Sequence, residues 1–247
     1  VIILTGSTGK LGSKLLQQLH VGIVDKEILT PPRSQMDLLD PANVYPYFYR
    51  VNQMMQTAKH RNVKVIHCAA MIGAKDCEEN KVRAYNTNVL STRAIASACN
   101  EFNWDMYYIS TDYVFDGKMG NYSELSCPNP LTYYSLTKLL GEESVLSFEH
   151  TVIRLSHFPD SCDYESAYAD KLTSALRTSD MAYLLQTTLV KMIQNDFTGI
   201  LHVGGNPVSF YELARISNPN VKKSQAPEGT PMDTSFNLDK LNFLLKA

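Results

Sequence analysis

The stretch TGSTGKLGSKLL at residues 5–16 sets the tightest limit on the fold. It follows the apolar run VIILT and carries glycines at 6, 9 and 12, with Leu11, Leu15, Leu16 and Leu19 recurring at helical spacing. A strand that turns through glycines straight into an amphipathic helix reads as the opening of a dinucleotide-binding unit. Each glycine has its own task there. Gly6 permits the tight turn, Gly9 lets backbone approach a pyrophosphate, and Gly12 lets the helix pack closely, with the helix N-terminus facing the phosphates. The G-x-x-G-x-x-G spacing departs from the commoner G-x-G-x-x-G, so the strand and helix context carries the reading. Thr8, Lys10 and Leu11 complete the candidate cofactor loop.

Further runs without polar alternation lie at 63–70, 106–110, 151–155 and 200–203, with a weaker one at 27–30. Such runs suit strands covered on both faces, as in a parallel sheet. Between them Val82, Tyr85, Val89, Ile95 and Cys99 form a helical stripe ahead of the fourth strand. Strand alternating with helix predicts an α/β fold, a doubly wound, Rossmann-like parallel sheet. Beyond about residue 156 the pattern loosens into the turn-rich SHFPDSCDYESAY and SNPNVKKSQAPEGTPMD. The expected division is a dinucleotide-binding core at 1–155 and a mainly substrate-binding lobe at 156–247, with 199–216 returning to the core.

Bulk properties exclude several classes. Across 247 residues, 44% apolar and 19% charged content is neither disordered nor membrane-like. A net charge of -2 gives no case for nucleic acid or an anionic membrane. Five cysteines, odd in number and without CxxC spacing, predict buried free thiols in a reducing compartment. The six histidines show no ligand spacing, so no metal is expected, and His67 reads as a hydrogen-bonded core residue. VIILT is too short for a signal segment and lacks a basic start, which predicts a soluble cytoplasmic protein. YPYFY at 45–49 reads as core packing or a helix start rather than a base-stacking platform.

Roughly twenty residues past the glycine loop, where an acid would hold the ribose of NAD, stand Pro31, Pro32 and Arg33. Arg33 can pair with a 2'-phosphate, which favours NADP and leaves NAD as the alternative; an exposed loop arginine is the competing reading. Asp37 and Leu38 are placed to lie against adenine, and Asp40 can cap a helix.

STDYVFDG at 110–117 leaves the end of the fourth strand, where ligands lie in a doubly wound sheet. Its Thr111 can donate to a substrate oxygen or close an ST-turn. In YYSLTK, helical spacing stands Lys138 one turn above Tyr134, while Tyr133 meets Thr137. A carbonyl reduced by hydride needs a proton donor, and a phenol of pKa about 10 serves if lowered toward neutrality. A shift of roughly three units is about 4 kcal/mol, within reach of a partly desolvated lysine beside a cationic cofactor.

Together TGSTGKLG, HCAAMIGAKDCEEN, NTNVLSTRAIASA, STDYVFDG and YYSLTKLLGEE, in this order, resemble an extended short-chain dehydrogenase/reductase, and most closely the dTDP-4-dehydrorhamnose reductase family. That family reduces the C4 ketone of a nucleotide-linked 4-keto-6-deoxy sugar with NADPH or NADH. The resemblance covers residues 1–155, and GILHVGGNPVSFYELARI at 199–216 matches a later strand and helix. It implies a nucleotide-sugar substrate, Thr111, Tyr134 and Lys138 at the catalytic positions, and Ala69 and Ala70 bordering the cofactor. Asn88, favoured over Asn86, matches an asparagine that steadies the lysine through water. The segment after VIRLS is shorter than the family's, and its His157, Lys171 and Arg177 are candidate pyrophosphate or sugar contacts. A homodimer stays open. A sugar-nucleotide epimerase with tightly held NAD is disfavoured by Arg33, and a non-catalytic NADP-binding regulatory subunit by the intact Thr, Tyr and Lys set.

Overall fold

The computed structural model describes residues 1–22, 27–57 and 63–246. The first part runs β1 (Ile2–Thr5), α1 (Lys10–Gly22), β2 (Ile28–Leu29), α2 (Val44–Thr57), β3 (Lys64–His67), α3 (Ala74–Glu79), α4 (Lys81–Tyr85) and α5 (Ser91–Phe102) to β4 (Asp105–Thr111). Next come α6 (Tyr133–Leu146) and β5 (Thr151–Leu155), then the short strands β6 (His157–Phe158), β7 (Ser166–Tyr168), β8 (Leu172–Thr173) and β9 (Leu176–Arg177). The chain ends with α7 (Thr178–Gln194), β10 (Gly199–Val203), β11 (Val208–Ser209), α8 (Phe210–Ser217), β12 (Lys222–Ser224) and α9 (Asp239–Lys246).

Six strands pair in parallel in the order β10-β5-β4-β3-β1-β2. Period-two alternation sends their residues to opposite faces. Ile2, Leu4, Ile66, Ile109, Ile153 and Leu201 pack with Leu15 and Leu19 of α1, Leu185 and Leu189 of α7, and Leu241 of α9. Ile3, Val65, Met106, Tyr108 and Val152 turn the other way, onto Phe48 of α2 and Ile95 and Cys99 of α5. Because both faces are covered, the strands read as unbroken apolar runs. The YPYFY segment falls in α2, with Tyr47 and Phe48 buried and Tyr45 and Tyr49 facing out.

Three expectations need correction. β3 stops at His67, so Cys68, Ala69 and Ala70 belong to the loop that follows. Val82 and Tyr85 do not join the buried stripe; they are 77% and 38% exposed. The cause is a π-helical turn, Asn86–Leu90, between α4 and α5, which adds a residue to the turn and rotates everything upstream of it off the face held by Ile95 and Cys99. Likewise only Cys77 and Cys99 of the five free thiols are fully buried, and Cys127 is exposed.

Past Leu155 the chain divides its work. α7, β10 and α9 complete the sheet and one of its layers. The paired short strands β6–β9, β7–β12 and β8–β11, with α8, form a lobe around Phe158, Ala167, Ala175, Leu213 and Val221. Of 199–216, the first five residues enter the sheet, while β11 and α8 pack in the lobe because Leu213 and Ala214 of the amphipathic α8 face it. Among the described residues no helix is long and apolar enough to cross a membrane, and no cluster of three His, Cys, Asp or Glu is arranged to hold a metal.

The connection leaving β1 runs to β2 on one side and that leaving β3 runs to β4 on the other, so a crevice opens beyond the carboxyl ends of β1 and β3. Gly6, at φ +70°, makes the turn there, and a β-carbon on it would stand 2.6 Å from the amide nitrogen of Ala69. At Gly12 a β-carbon would collide with the Gly6 carbonyl oxygen, whereas at Gly9 it would sit 3.2 Å from the same atom. Gly12→Ala is therefore expected to destabilise the fold by about 2 kcal/mol or more and Gly9→Ala by about 1 kcal/mol or less, a ranking that denaturant unfolding of the two variants checks.

Candidate active site

A cavity of about 560 Å³ occupies that crevice. The β1–α1 loop supplies Gly6, Thr8, Gly9, Lys10, Leu11 and Gly12, and the loop after β3 supplies Cys68, Ala69 and Ala70. The loop after β3 is tied to the end of β1, where Ala69 N donates to Thr5 Oγ1 at 3.3 Å. Thr5 Oγ1 in turn lies 2.6 Å from His67 Nδ1, and His67 Nε2 lies 3.1 Å from Thr92 Oγ1. Burial drives the His67 pKa down to about 3, so the ring is a neutral core group, as its strand position implied.

The far wall comes from α6. Thr132 caps this helix by accepting from Ser135 N at 3.2 Å, and the first turn begins at Tyr133. Tyr134 and Lys138, one turn apart, both line the cavity. Tyr133 points to a separate groove, with the Lys81 ammonium 5.4 Å from its ring centre. Lys138 is 3% exposed. Its Nζ donates to Ile109 O at 2.7 Å and stands 4.1 Å from the Tyr108 ring centre. Burial lowers its pKa to about 7, against the opposing pull of Glu142.

Tyr134 lines the same wall. Burial pushes its phenol above the ordinary value, outweighing the neighbouring Thr111 hydroxyl that lowers it. The phenol is held protonated. Thr111, at the end of β4, closes the ST-turn, its Oγ1 accepting from Tyr113 N at 3.2 Å, and also lines the cavity.

The family profile described as RmlD substrate binding domain matches residues 1–163. The chain belongs to this family. It is thereby an extended short-chain dehydrogenase/reductase, as the order of its motifs implied. The dTDP-4-dehydrorhamnose reductase of Mycobacterium tuberculosis is 32% identical over 151 residues, 59% of this chain and 45% of that protein. Methionine adenosyltransferase 2 subunit beta of Bos taurus is 31% identical over 150 residues, 59% of this chain and 42% of that one. The chain spans about half the length of these relatives. The dTDP-4-dehydrorhamnose reductase of Bacillus anthracis, solved in complex with NADP, superposes with a TM-score of 0.79 over 98% of this chain and 92% of that one at 24% identity.

Several of the candidate residues named from the sequence lie off the cavity wall. Asn88 sits in the π-helical turn, 1% exposed. Its amide accepts from Met71 N at 2.8 Å and donates to Met71 O at 2.9 Å and Thr137 Oγ1 at 3.0 Å, so it ties the β3 loop to α6. Asn86 donates to Leu39 O at 3.4 Å. Arg33 is 3.1 Å from Asp37, whose carboxylate also accepts from Leu39 N and is held below its usual pKa by that bond first and by Arg33. Leu38 packs against the core. Asp40 caps the single turn at Pro41–Asn43, accepting from Ala42 N. Lys171 donates to Tyr113 OH at 2.8 Å and Arg177 Nε lies 2.8 Å from Asp180. Only His157 of the lobe candidates faces the cavity, with Nδ1 2.9 Å from Thr178 Oγ1.

Sequence reading passed over Ile72, Gly73, Thr87, Tyr113, Ser156 and Pro159, which line the same space. Ser156 directly follows β5, and the rule that ligands meet carboxyl ends of strands would have found it. The burial of Lys138 has a measurable consequence. Its folded pKa of about 7 lies below the free value of 10.5, so the unfolded chain holds the extra proton between these values and this group's contribution to stability rises with pH across that window. Nζ-labelled lysine NMR is expected to show one lysine, absent in Lys138→Met, titrating near neutrality.

Proposed function

We propose that this chain is a reductase acting on the C4 ketone of a nucleotide-linked 4-keto-6-deoxy sugar, with NADP as its dinucleotide. The observation that carries the reading is the presence of Tyr134 and Lys138, on one face of α6, in the same cavity as the glycine loop. The cavity fits a dinucleotide. Gly6 and Gly12 leave a cradle that β-carbons would fill, and the first-turn amides of α1 at Lys10, Leu11 and Gly12 have no carbonyl a turn earlier in the helix. Ala69 and Ala70 border the space without obstructing it. Arg33 stands where an acid would select NAD, and would exchange Asp37 for a 2'-phosphate.

Once bound, the reduced nicotinamide supplies the hydride that converts the ketone carbon to an alcohol. Tyr134, kept protonated by burial, gives its proton to the oxygen as negative charge develops there. Lys138 places a cation next to the phenolate left behind, and Ile109 O fixes its direction. Asn88 sets the spacing between the β3 loop and α6. The five free cysteines suit a reducing compartment such as the cytoplasm.

A second reading, a dinucleotide-binding subunit without turnover, draws on the internal pairing of Lys171 and Arg177, two cations a sugar nucleotide's phosphates would otherwise use. One experiment separates the two. Mixed with NADPH and a dTDP-4-keto-6-deoxyhexose, the protein is expected to consume nicotinamide absorbance, and Tyr134→Phe to slow turnover by roughly 10²–10⁴ while NADPH binding persists. Binding without oxidation in the unaltered protein would favour the subunit; equal rates in Tyr134→Phe would mean another group gives the proton.

A further inference from the structure

The ring of His157 has its hydrogen placed for it by the chain. Its Nδ1 lies 2.9 Å from Thr178 Oγ1, and that same Oγ1 donates to Phe158 O at 2.9 Å. A carbonyl oxygen can only accept, so the single Thr178 proton goes to Phe158 O and Oγ1 is left to accept from the ring. Nδ1 therefore carries the imidazole hydrogen. The fold fixes both contacts. His157 and Phe158 form β6, which pairs in parallel with β9, and Thr178 follows β9 as the first residue of α7. Asp160 holds that helix start, accepting from Ser179 N at 2.8 Å and Ser179 Oγ at 2.7 Å.

The other ring nitrogen is left for a ligand. His157 lines the cavity shared by the glycine loop, Tyr134 and Lys138, and its Nε2 has no hydrogen-bond partner among the described residues. Burial first, then the Lys10 ammonium at the head of α1, hold the ring's pKa below its ordinary value against the pull of Asp160, so the ring is neutral at pH 7. With Nδ1–H spent on Thr178, a neutral ring offers the cavity one lone pair and no proton. A pyrophosphate, which has only acceptors, gains nothing from such a nitrogen. We propose that His157 is a specificity-determining residue whose Nε2 accepts a hydrogen bond from an N–H or O–H donor of the bound ligand, and that it does not hold the pyrophosphate. The reductase reading supplies two such donors, the carboxamide of nicotinamide and a hydroxyl of the hexose. The ligand's identity rests on that reading; the placement of the ring hydrogen does not.

Nitrogen NMR of the whole chain labelled with 15N-histidine tests both parts at neutral pH, with His157→Gln identifying the His157 signals. The free protein is expected to show Nδ1 protonated and Nε2 bare; the opposite tautomer, or a ring protonated on both nitrogens, overturns the proposal. Ligand is then added in two steps, NADPH and afterwards a dTDP-6-deoxyhexose, with NADPH binding followed separately by its fluorescence. The Nε2 signal is expected to move partway toward the protonated position while Nδ1 stays. Movement with NADPH alone assigns the donor to the carboxamide, and movement only with the sugar nucleotide assigns it to a hexose hydroxyl. An Nε2 unmoved by either ligand, or a second ring proton gained on NADPH binding, overturns the proposal. His157→Leu and His157→Gln both lose the Thr178 contact, but only glutamine keeps an acceptor there. The leucine variant is expected to weaken binding of the donor ligand by about tenfold relative to the glutamine variant, and equal affinities also overturn the proposal. Should NADPH and the sugar nucleotide bind without any turnover of the ketone, the reductase reading fails alone and the Nε2 signal still decides the role of His157.

Discussion

Lys138 gives up nearly all of its hydration, and the 2.7 Å bond to Ile109 O with the Tyr108 ring beneath it is what replaces water. Burying an ammonium is costly without such partners, so α6 must stand at one distance from β4 and in one rotation about its axis. Gly141 makes that approach feasible, since a β-carbon there would press on the Tyr108 hydroxyl and the Asn88 carbonyl. Once α6 is set by this contact, Tyr134 one turn earlier has no choice but to enter the cavity formed by the two loops.

The same ridge continues one turn deeper to Glu142. This carboxylate, fully buried, takes Arg154 in a forked bond with contacts of 3.0, 3.1 and 2.6 Å and also accepts from Ser110. Arg154 comes from β5 and Ser110 from β4, so the ion pair pins α6 across two central strands. Buried pairs contribute less net stability than their Coulomb attraction suggests, yet removing one partner alone strands a charge. Its value here is geometric. It holds the cationic and anionic ends of the α6 ridge in a fixed relation to the sheet from which the cavity opens.

What the sequence disclosed follows the range of the interactions involved. The glycine loop, β1 and α1 are local: their turn, strand and leucine stripe lie within some twenty residues and all appear in place. Tyr134 and Lys138 were legible because four residues of helix suffice to align them. Arg33 and Asp37 were read by position relative to a motif and Asn88 from a family resemblance, and neither reveals partners. Arg33 found a nearer anion in Asp37, and Asn88 found the Met71 backbone. Asp112, buried and bonded to the hydroxyls of Thr173 and Thr234, gave no signal at all, since these lie 61 and 122 residues away from it. Val82 and Tyr85 failed for a different reason: periodicity assumes one pitch throughout, and a single wide turn changes the phase.

That wide turn, Asn86–Leu90, acts as a phase shifter in a nearly continuous rod. Ahead of it the rod borders α3 and α6; after it, Ser91, Thr92, Ile95 and Cys99 settle onto the sheet. One nearly continuous helix can thus turn one face to α3 and α6 at its start and another to a hydrophobic bed at its end. Removing one residue there would leave every side chain chemically intact and still misaddress half of them, turning Asn88 from the loop it braces or Ile95 from the bed it lies on.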